Sequence, residues 1–144
     1  MTSTAPAKHS VSVTGIITDD SGRALLIQRR DNQHWEPPGG VLELGESIHD
    51  GLRREVREET GLQVEPIALT GIYKNMPRGI IALVFHCKAT GGELTPSDET
   101  QAFKWATENQ VSELATEAYA IRITDAMHDA PAVIRQHDGT RLLP

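Results

Sequence analysis

The stretch SIHDGLRREVREETG, Ser47 to Gly61, limits what this chain can fold into more than any other. Ser47 followed three residues later by Asp50 resembles a capping box, and Gly61 is a natural C-terminal stop, so a helix is expected from about Ile48 to Thr60. At ~100° per residue, Ile48, Leu52 and Val56 make an apolar stripe. Glu55 and Glu59 project into the middle of that stripe, and Glu58 lies just to one side. Arg53 and Arg57 take the far, solvent face, while Arg54 sits one turn before Glu58, within pairing reach. Carboxylates a turn apart on a packing face repel one another and lose hydration, which is costly unless something compensates. One arginine is too few for three glutamates. A divalent cation would neutralise them and accept oxygen ligands, with magnesium or manganese suiting a carboxylate set best. The commoner explanation of such a run is a surface helix rich in solvated Glu and Arg, and the helix alone does not decide.

The flanking sequence supplies strands on both sides. "HSVSVTGIIT" alternates apolar and polar residues, "DDSG" reads as a turn, and "RALLIQRR" has an apolar middle suited to a sheet interior, so a hairpin is expected. "DNQHWEPPGG", with Pro37, Pro38, Gly39 and Gly40 in succession, reads as a loop leading into "VLEL". "VEPIALTGIYKN" and "RGIIALVFHCKAT" read as strands joined by "NMPRG", with "AFKWAT" a further short one. "ENQVSELATEAYAIRITDAMHDA" has helical spacing and a stop at Pro131, and "VIRQHDGTRLL" holds an Asp-Gly turn that closes a last hairpin within residues 132–143. The expected fold class is α/β (α+β), a layered domain with a second helix at the end.

At 144 residues and 38% hydrophobic content, one soluble domain over residues 10–144 is expected, preceded by a flexible tail over residues 1–9. The longest apolar run, Ile80 to Phe85, falls far below the roughly 18 residues needed to cross a bilayer, and the polar N-terminus lacks a signal region, which favours a cytoplasmic protein. The sole cysteine, Cys87, cannot form an internal disulfide and reads as a small buried hydrophobe. Fourteen Lys and Arg against 20 Asp and Glu leave a net charge of -6, which argues against nucleic acid or an anionic membrane as partner. A phosphate-bearing ligand would have to be met locally, with a cation's help.

Read back from the helix, Gly40, five residues, Glu46, seven residues and then Arg54 to Leu62 reproduce the signature of the Nudix hydrolases at every specified position. The chain resembles this family, its MutT-like members included, over roughly residues 10–130. The resemblance implies an α/β/α sandwich with a mixed central sheet, a long catalytic helix and a C-terminal helix. It further implies water attack on the diphosphate bridge of a nucleoside diphosphate linked to another moiety. Such a bridge is strongly anionic, so the reaction needs Mg2+ or Mn2+ to neutralise its oxygens and acidify the water. By similarity, Glu58 and Glu59 are the main metal ligands, Glu55 is a further ligand or the general base, and Gly39 offers a backbone carbonyl. Gly40 lets the chain approach closely. Arg54 and Glu46 are read as positioning groups, since a guanidinium holds a glutamate by paired hydrogen bonds. Family members often carry another acidic residue on a loop after the central strands. "SDET" offers Asp98 and Glu99, with Glu99 favoured and a solvated turn carboxylate equally open.

Other residues carry weaker signals. Trp35 could stack on a base but fits better as a core residue beside a loop. His34, His49 and His86 have no zinc spacing, and Arg29 and Arg30 read as an exposed basic strand end. Pro77 stands fifteen residues beyond Leu62, a position that the resemblance links with ADP-ribose hydrolysis, though turn chemistry explains it equally well. ADP-ribose or a nucleotide sugar is slightly favoured as the small-molecule partner. A housecleaning nucleoside triphosphate pyrophosphohydrolase is the alternative, and a non-catalytic nucleotide-binding regulatory module is the alternative of another class. A homodimer is an allowed assembly.

Overall fold

The structure, a computed structural model, describes residues 5–144. Its elements are β1 (Ser10–Ile17), β2 (Ala24–Arg29), β3 (Trp35–Glu36), β4 (Gly39–Val41), α1 (Ile48–Thr60), β5 (Leu62–Asn75), β6 (Ile80–Gly92), β7 (Thr100–Ala106), α2 (Glu108–Leu114), α3 (Glu117–Met127), β8 (Val133–His137) and β9 (Leu142–Leu143). Of the tail expected over residues 1–9, residues 1–4 lie outside the described residues. Residues 5–9 are exposed and have no regular structure.

The two-residue period of strand side chains sorts the core into two halves. Val13 and Ile17 of β1 join Phe85 and Cys87 of β6 on one face, while Ile16 joins Ala82 and Val84 on the other. Helix α1 covers the first half with Leu52 and Val56; α2 and α3 cover the second with Val111, Ala120, Ile123 and Ala126. Helix, sheet and helix therefore stack as an α/β/α sandwich. Strands order as β4-β1-β6-β5-β8-β9 in one sheet and β3-β2-β7 in another. The larger sheet is mixed, because β1 and β6, and β5 and β8, run parallel while the other pairs are antiparallel.

Four local expectations change. First, β1 and β2 do make the expected tight turn, with Gly22 donating to the Asp19 carbonyl, but after the Thr18–Ala24 bridge they part into different sheets. Each has stronger claims elsewhere: β1 pairs with β6 and β4, and β2 with β7 and β3. Second, the loop read over "DNQHWEPPGG" contains the short strands β3 and β4, interrupted at Pro37 and Pro38, which have no N–H to give to a ladder. Third, the single C-terminal helix is two helices. Thr107 caps α2 in a full capping box with Gln110, and Ala115 and Thr116 are extended at its end, so the chain restarts as α3. Fourth, Ile48 is 43% exposed, which leaves Leu52 and Val56 as the packing stripe of α1.

Both ends of α1 match the sequence. Ser47 accepts from the Asp50 N–H, and Gly61, at φ 81°, closes the helix in the left-handed region by donating to the Arg57 carbonyl. The C-terminal hairpin forms as β8 and β9, and β8 extends the main sheet alongside β5. No helix among the described residues is long and apolar enough to cross a membrane.

Truncating Leu52, which is 0% exposed between α1 and the sheet, removes a full core side chain. Leu52→Ala is expected to lower unfolding free energy by about 2–5 kcal/mol, measured by urea denaturation.

Candidate active site

Helix α1 brings its charged side chains against β4, and one arginine organises them. The Arg54 guanidinium grips Glu46 through both edges of a fork, Nε to Oε2 at 2.9 Å and Nη2 to Oε1 at 2.7 Å. Its Nη1 donates to Glu55 Oε1 at 2.8 Å and Glu58 Oε2 at 3.2 Å, and Nη2 also reaches the Val41 carbonyl at 3.1 Å. Glu46 in turn accepts from the Glu43 N–H. Arg54, helped by that N–H, holds the Glu46 carboxyl at about 2. The i, i+4 pair expected between Arg54 and Glu58 is present, within a larger cluster.

Glu59 is the least exposed of the helix glutamates, at 7%. Its Oε1 accepts from the Gly39 N–H at 3.1 Å. Burial pushes its carboxyl up to about 8; the Gly39 N–H opposes this, and the charges of Glu36, Glu55 and Glu99 add to it. Burial also raises Glu55, with Arg54 opposing and Glu58 and Glu99 adding. Glu58 keeps a side chain 55% exposed. Gly40 is where the chain has no room: a Cβ there would lie 2.2 Å from Glu55 Oε2, so any side chain would drive the Glu55 carboxylate out of its place.

Whether these groups suit a cation can be judged from their chemistry. The donors are all oxygens, which fits Mg2+ or Mn2+ rather than zinc. A buried carboxylate with one N–H partner and acidic neighbours lacks a positive charge, which a cation would supply. Among the described residues no three acidic, His or Cys groups already converge as a cage. Glu55 and Glu58 lean on Arg54 and Glu59 on Gly39, so a cation bound here would have to draw them together.

Glu99 sits on the exposed loop before β7. Its backbone carbonyl accepts from the Arg30 N–H, and its charge reaches Glu55 and Glu59, which puts it beside the cluster. Asp98 lies next to it, exposed. Arg29 is paired with Asp31 and Glu36, and Arg30 donates to the Ser97 carbonyl. Trp35 packs against the core, His86 bonds Thr18 Oγ1, and His49 meets the Phe85 ring edge-on. Cys87 is buried, its thiol pushed up to about 12 by desolvation.

Two residues escaped the sequence reading. A cleft of about 150 Å³ adjoins Gly39 and Gly40, and its walls carry Ser12, Thr14, Arg29, Glu36, Tyr119 and Arg122. Glu36 was hidden inside a run read only as a loop. Arg122 had a visible signal: with Ala118 and Ala126 it falls at i, i+4, i+8 on the buried stripe of α3, an unusual place for a guanidinium.

The NUDIX domain family model matches residues 8–126. The chain is 52% identical over 141 residues to a MutT-like protein of Streptomyces ambofaciens, covering 98% of this chain and 92% of that protein. It is 36% identical over 113 residues to a Methanocaldococcus jannaschii protein named ADP-ribose pyrophosphatase, covering 74% of this chain but 66% of that one. Among solved structures, an ADP-ribose pyrophosphatase from Streptococcus suis superposes with a TM-score of 0.77 at 23% identity, over 88% of this chain and 99% of that one, a likeness of fold. The chain belongs to the Nudix family and is a hydrolase of acid anhydrides in phosphorus-containing compounds. Members of this family act on small nucleotide derivatives and generally depend on a divalent metal.

The raised Glu59 carboxyl has a definite sign. A folded-state value near 8 against an ordinary 4.5 means the folded protein holds this proton more tightly than the unfolded chain. In chelator-treated protein, this contribution to stability is full below about 4.5 and is lost as pH rises towards about 8. Glu59→Gln should flatten that fall in thermal melts taken across the range.

Proposed function

We propose that this protein hydrolyses the diphosphate bridge of a nucleoside diphosphate linked to another moiety, using Mg2+ or Mn2+ held at the α1–β4 junction. The observation that carries the reading is Glu59: a buried carboxylate surrounded by other carboxylates, with a single N–H as partner. On this reading Glu58 and Glu59 are the principal ligands and the Gly39 carbonyl a third. A bound ion neutralises the bridge's oxygens and acidifies the attacking water. Glu55 either completes the ligand set or takes the water's proton at Oε2, the oxygen left free by Arg54. Glu99, on the loop beside it, is the other candidate base. Arg54 and Glu46 orient these carboxylates, and Arg54 also ties α1 to β4 through the Val41 carbonyl. Residues 10–144 are read as one catalytic domain, since β8 and β9 continue the main sheet.

Both a diphosphate-linked sugar, ADP-ribose among them, and a nucleoside triphosphate suit this chemistry. The relative named ADP-ribose pyrophosphatase lends the first some weight. Pro77, exposed in the turn between β5 and β6, does not line the cleft and adds nothing to it. The intact set of helix glutamates and their arginine clamp weighs against a regulatory module without catalysis.

A panel of nucleotide sugars, dinucleoside polyphosphates and nucleoside triphosphates, assayed with magnesium for released phosphate or nucleotide, should show turnover. Failure with every member removes the proposal. Glu58→Gln should abolish most of that turnover without lowering the melting temperature, because it deletes a ligand charge at an exposed position.

Arg54→Lys keeps the charge but loses the fork. It should lower kcat by about 10- to 100-fold with little change in KM, since it misplaces the ligands rather than removing them. A steady-state comparison of the two parameters checks this.

A further inference from the structure

The loop between β6 and β7 carries Glu99 to a place that its charge resists. Glu99 lines a cleft with Arg29, Arg30, Asp31 and Asp98. Its negative charge adds to the burial that raises the Glu55 and Glu59 carboxyls, so it stands within reach of both. Like charges repel, and an exposed loop would ordinarily relax by swinging its carboxylate away into water. Something has to hold this one in place.

The loop is tied at two points. Near its start, the Thr95 N–H donates at 2.9 Å to the carbonyl of Thr60, the last residue of α1 and the neighbour of Glu59. At its end, the Arg30 N–H donates at 2.9 Å to the Glu99 carbonyl. Between these ties lies Ser97, half-buried while Pro96, Asp98 and Glu99 are exposed. Its hydroxyl oxygen accepts from the N–H groups of Glu99 at 3.2 Å and Thr100 at 3.0 Å. Its own N–H donates to the Thr100 carbonyl at 2.9 Å, and its carbonyl accepts from Arg30 Nε at 2.8 Å, a charge-assisted bond. The two N–H groups that the hydroxyl holds belong to the peptide planes on either side of the Glu99 Cα. With both planes held, the two soft dihedrals of Glu99 are set, and with them the direction in which its side chain leaves the backbone.

A serine in such a position also closes an ordinary turn. This one orients the acid that borders the helix cluster, and the ties around it run to α1 on one side and to the end of β2 on the other. Resting on the hydrolase reading above, we propose that Ser97 is a positioning residue: its hydroxyl holds Glu99 against the repulsion of Glu55 and Glu59. Hydrolysis therefore depends on Ser97 through Glu99 and not through any contact of Ser97 with substrate. Loss of the hydroxyl leaves every charge of the cluster in the chain and frees only the one on the loop.

Ser97→Ala removes the acceptor and leaves the backbone bonds. The Glu99 and Thr100 N–H groups should then exchange with solvent faster, followed by NMR on the full chain without substrate, while the melting temperature changes little. With a substrate from the panel, kcat should fall by about tenfold at unchanged KM, the order of loss that follows removal of an orienting partner. Ser97→Thr keeps the hydroxyl and should restore both readouts. The double variant Ser97→Ala/Glu99→Gln should be no slower than Glu99→Gln alone, because the hydroxyl has nothing left to position. Unaltered exchange, a kcat equal to that of the wild type, losses that add in the double variant, or a fully active Glu99→Gln would each overturn the proposal. A wild-type chain that turns over no member of the panel counts against the hydrolase reading and this proposal together; an active one beside an undiminished Ser97→Ala counts against Ser97 alone.

Discussion

The Arg54 guanidinium is the contact on which the charged face of α1 depends. Glu55 and Glu58 sit one and four residues beyond it, and Glu46 comes back from the preceding loop to occupy its fork. Charge-assisted pairs of this kind fix direction as well as distance, because a planar guanidinium accepts a carboxylate only in its own plane. The same group reaches the Val41 carbonyl, so the helix and the edge strand β4 are registered by the side chain that orders the acids. Position and charge are thereby set together.

Glu59 marks the limit of what the protein can balance internally. Arg54 bonds Glu46, Glu55 and Glu58, but Glu59 has only the Gly39 N–H. A Nudix hydrolase with this arrangement folds most comfortably with a proton on that carboxyl, and an arriving cation would compete with the proton for the same oxygens. Gly40 belongs to this balance, since its missing side chain is what allows the Glu55 carboxylate to rest against β4. The geometry is therefore a set of separate restraints, each releasable, and among the described residues it is not a finished cage.

Much of this was legible in the sequence because it is local. The caps at Ser47 and Gly61, the inward angle of Glu55 and Glu59, and the reach from Arg54 to Glu58 all follow from spacing along one helix. What spacing cannot carry is competition between distant partners. The parting of β1 and β2 depends on β6 and β7, each more than 40 residues away in the chain, and the break at Ala115 and Thr116 depends on extended backbone that helical periodicity does not register. The exposure of Ile48, the first residue of α1, is likewise invisible to spacing, which places it on the same stripe as the buried Leu52 and Val56. Glu36 and Arg122 lie 86 positions apart, and nothing in either neighbourhood announces that β3 and α3 will face one cleft. The arginine on an alanine stripe was the one available clue.

The acidic cluster hangs from the helix on one side of the sheet, whereas Arg122 rises from the helix on the other. The sheet separates these halves, and at its edge the two glycines of β4 border the cleft while Gly40 also abuts Glu55. Substitutions confined to the α3 layer would thus leave the Arg54 clamp on the other face of the sheet untouched. A side chain at Gly40 would press on Glu55 and on the cleft at once, so a single substitution there reaches both layers.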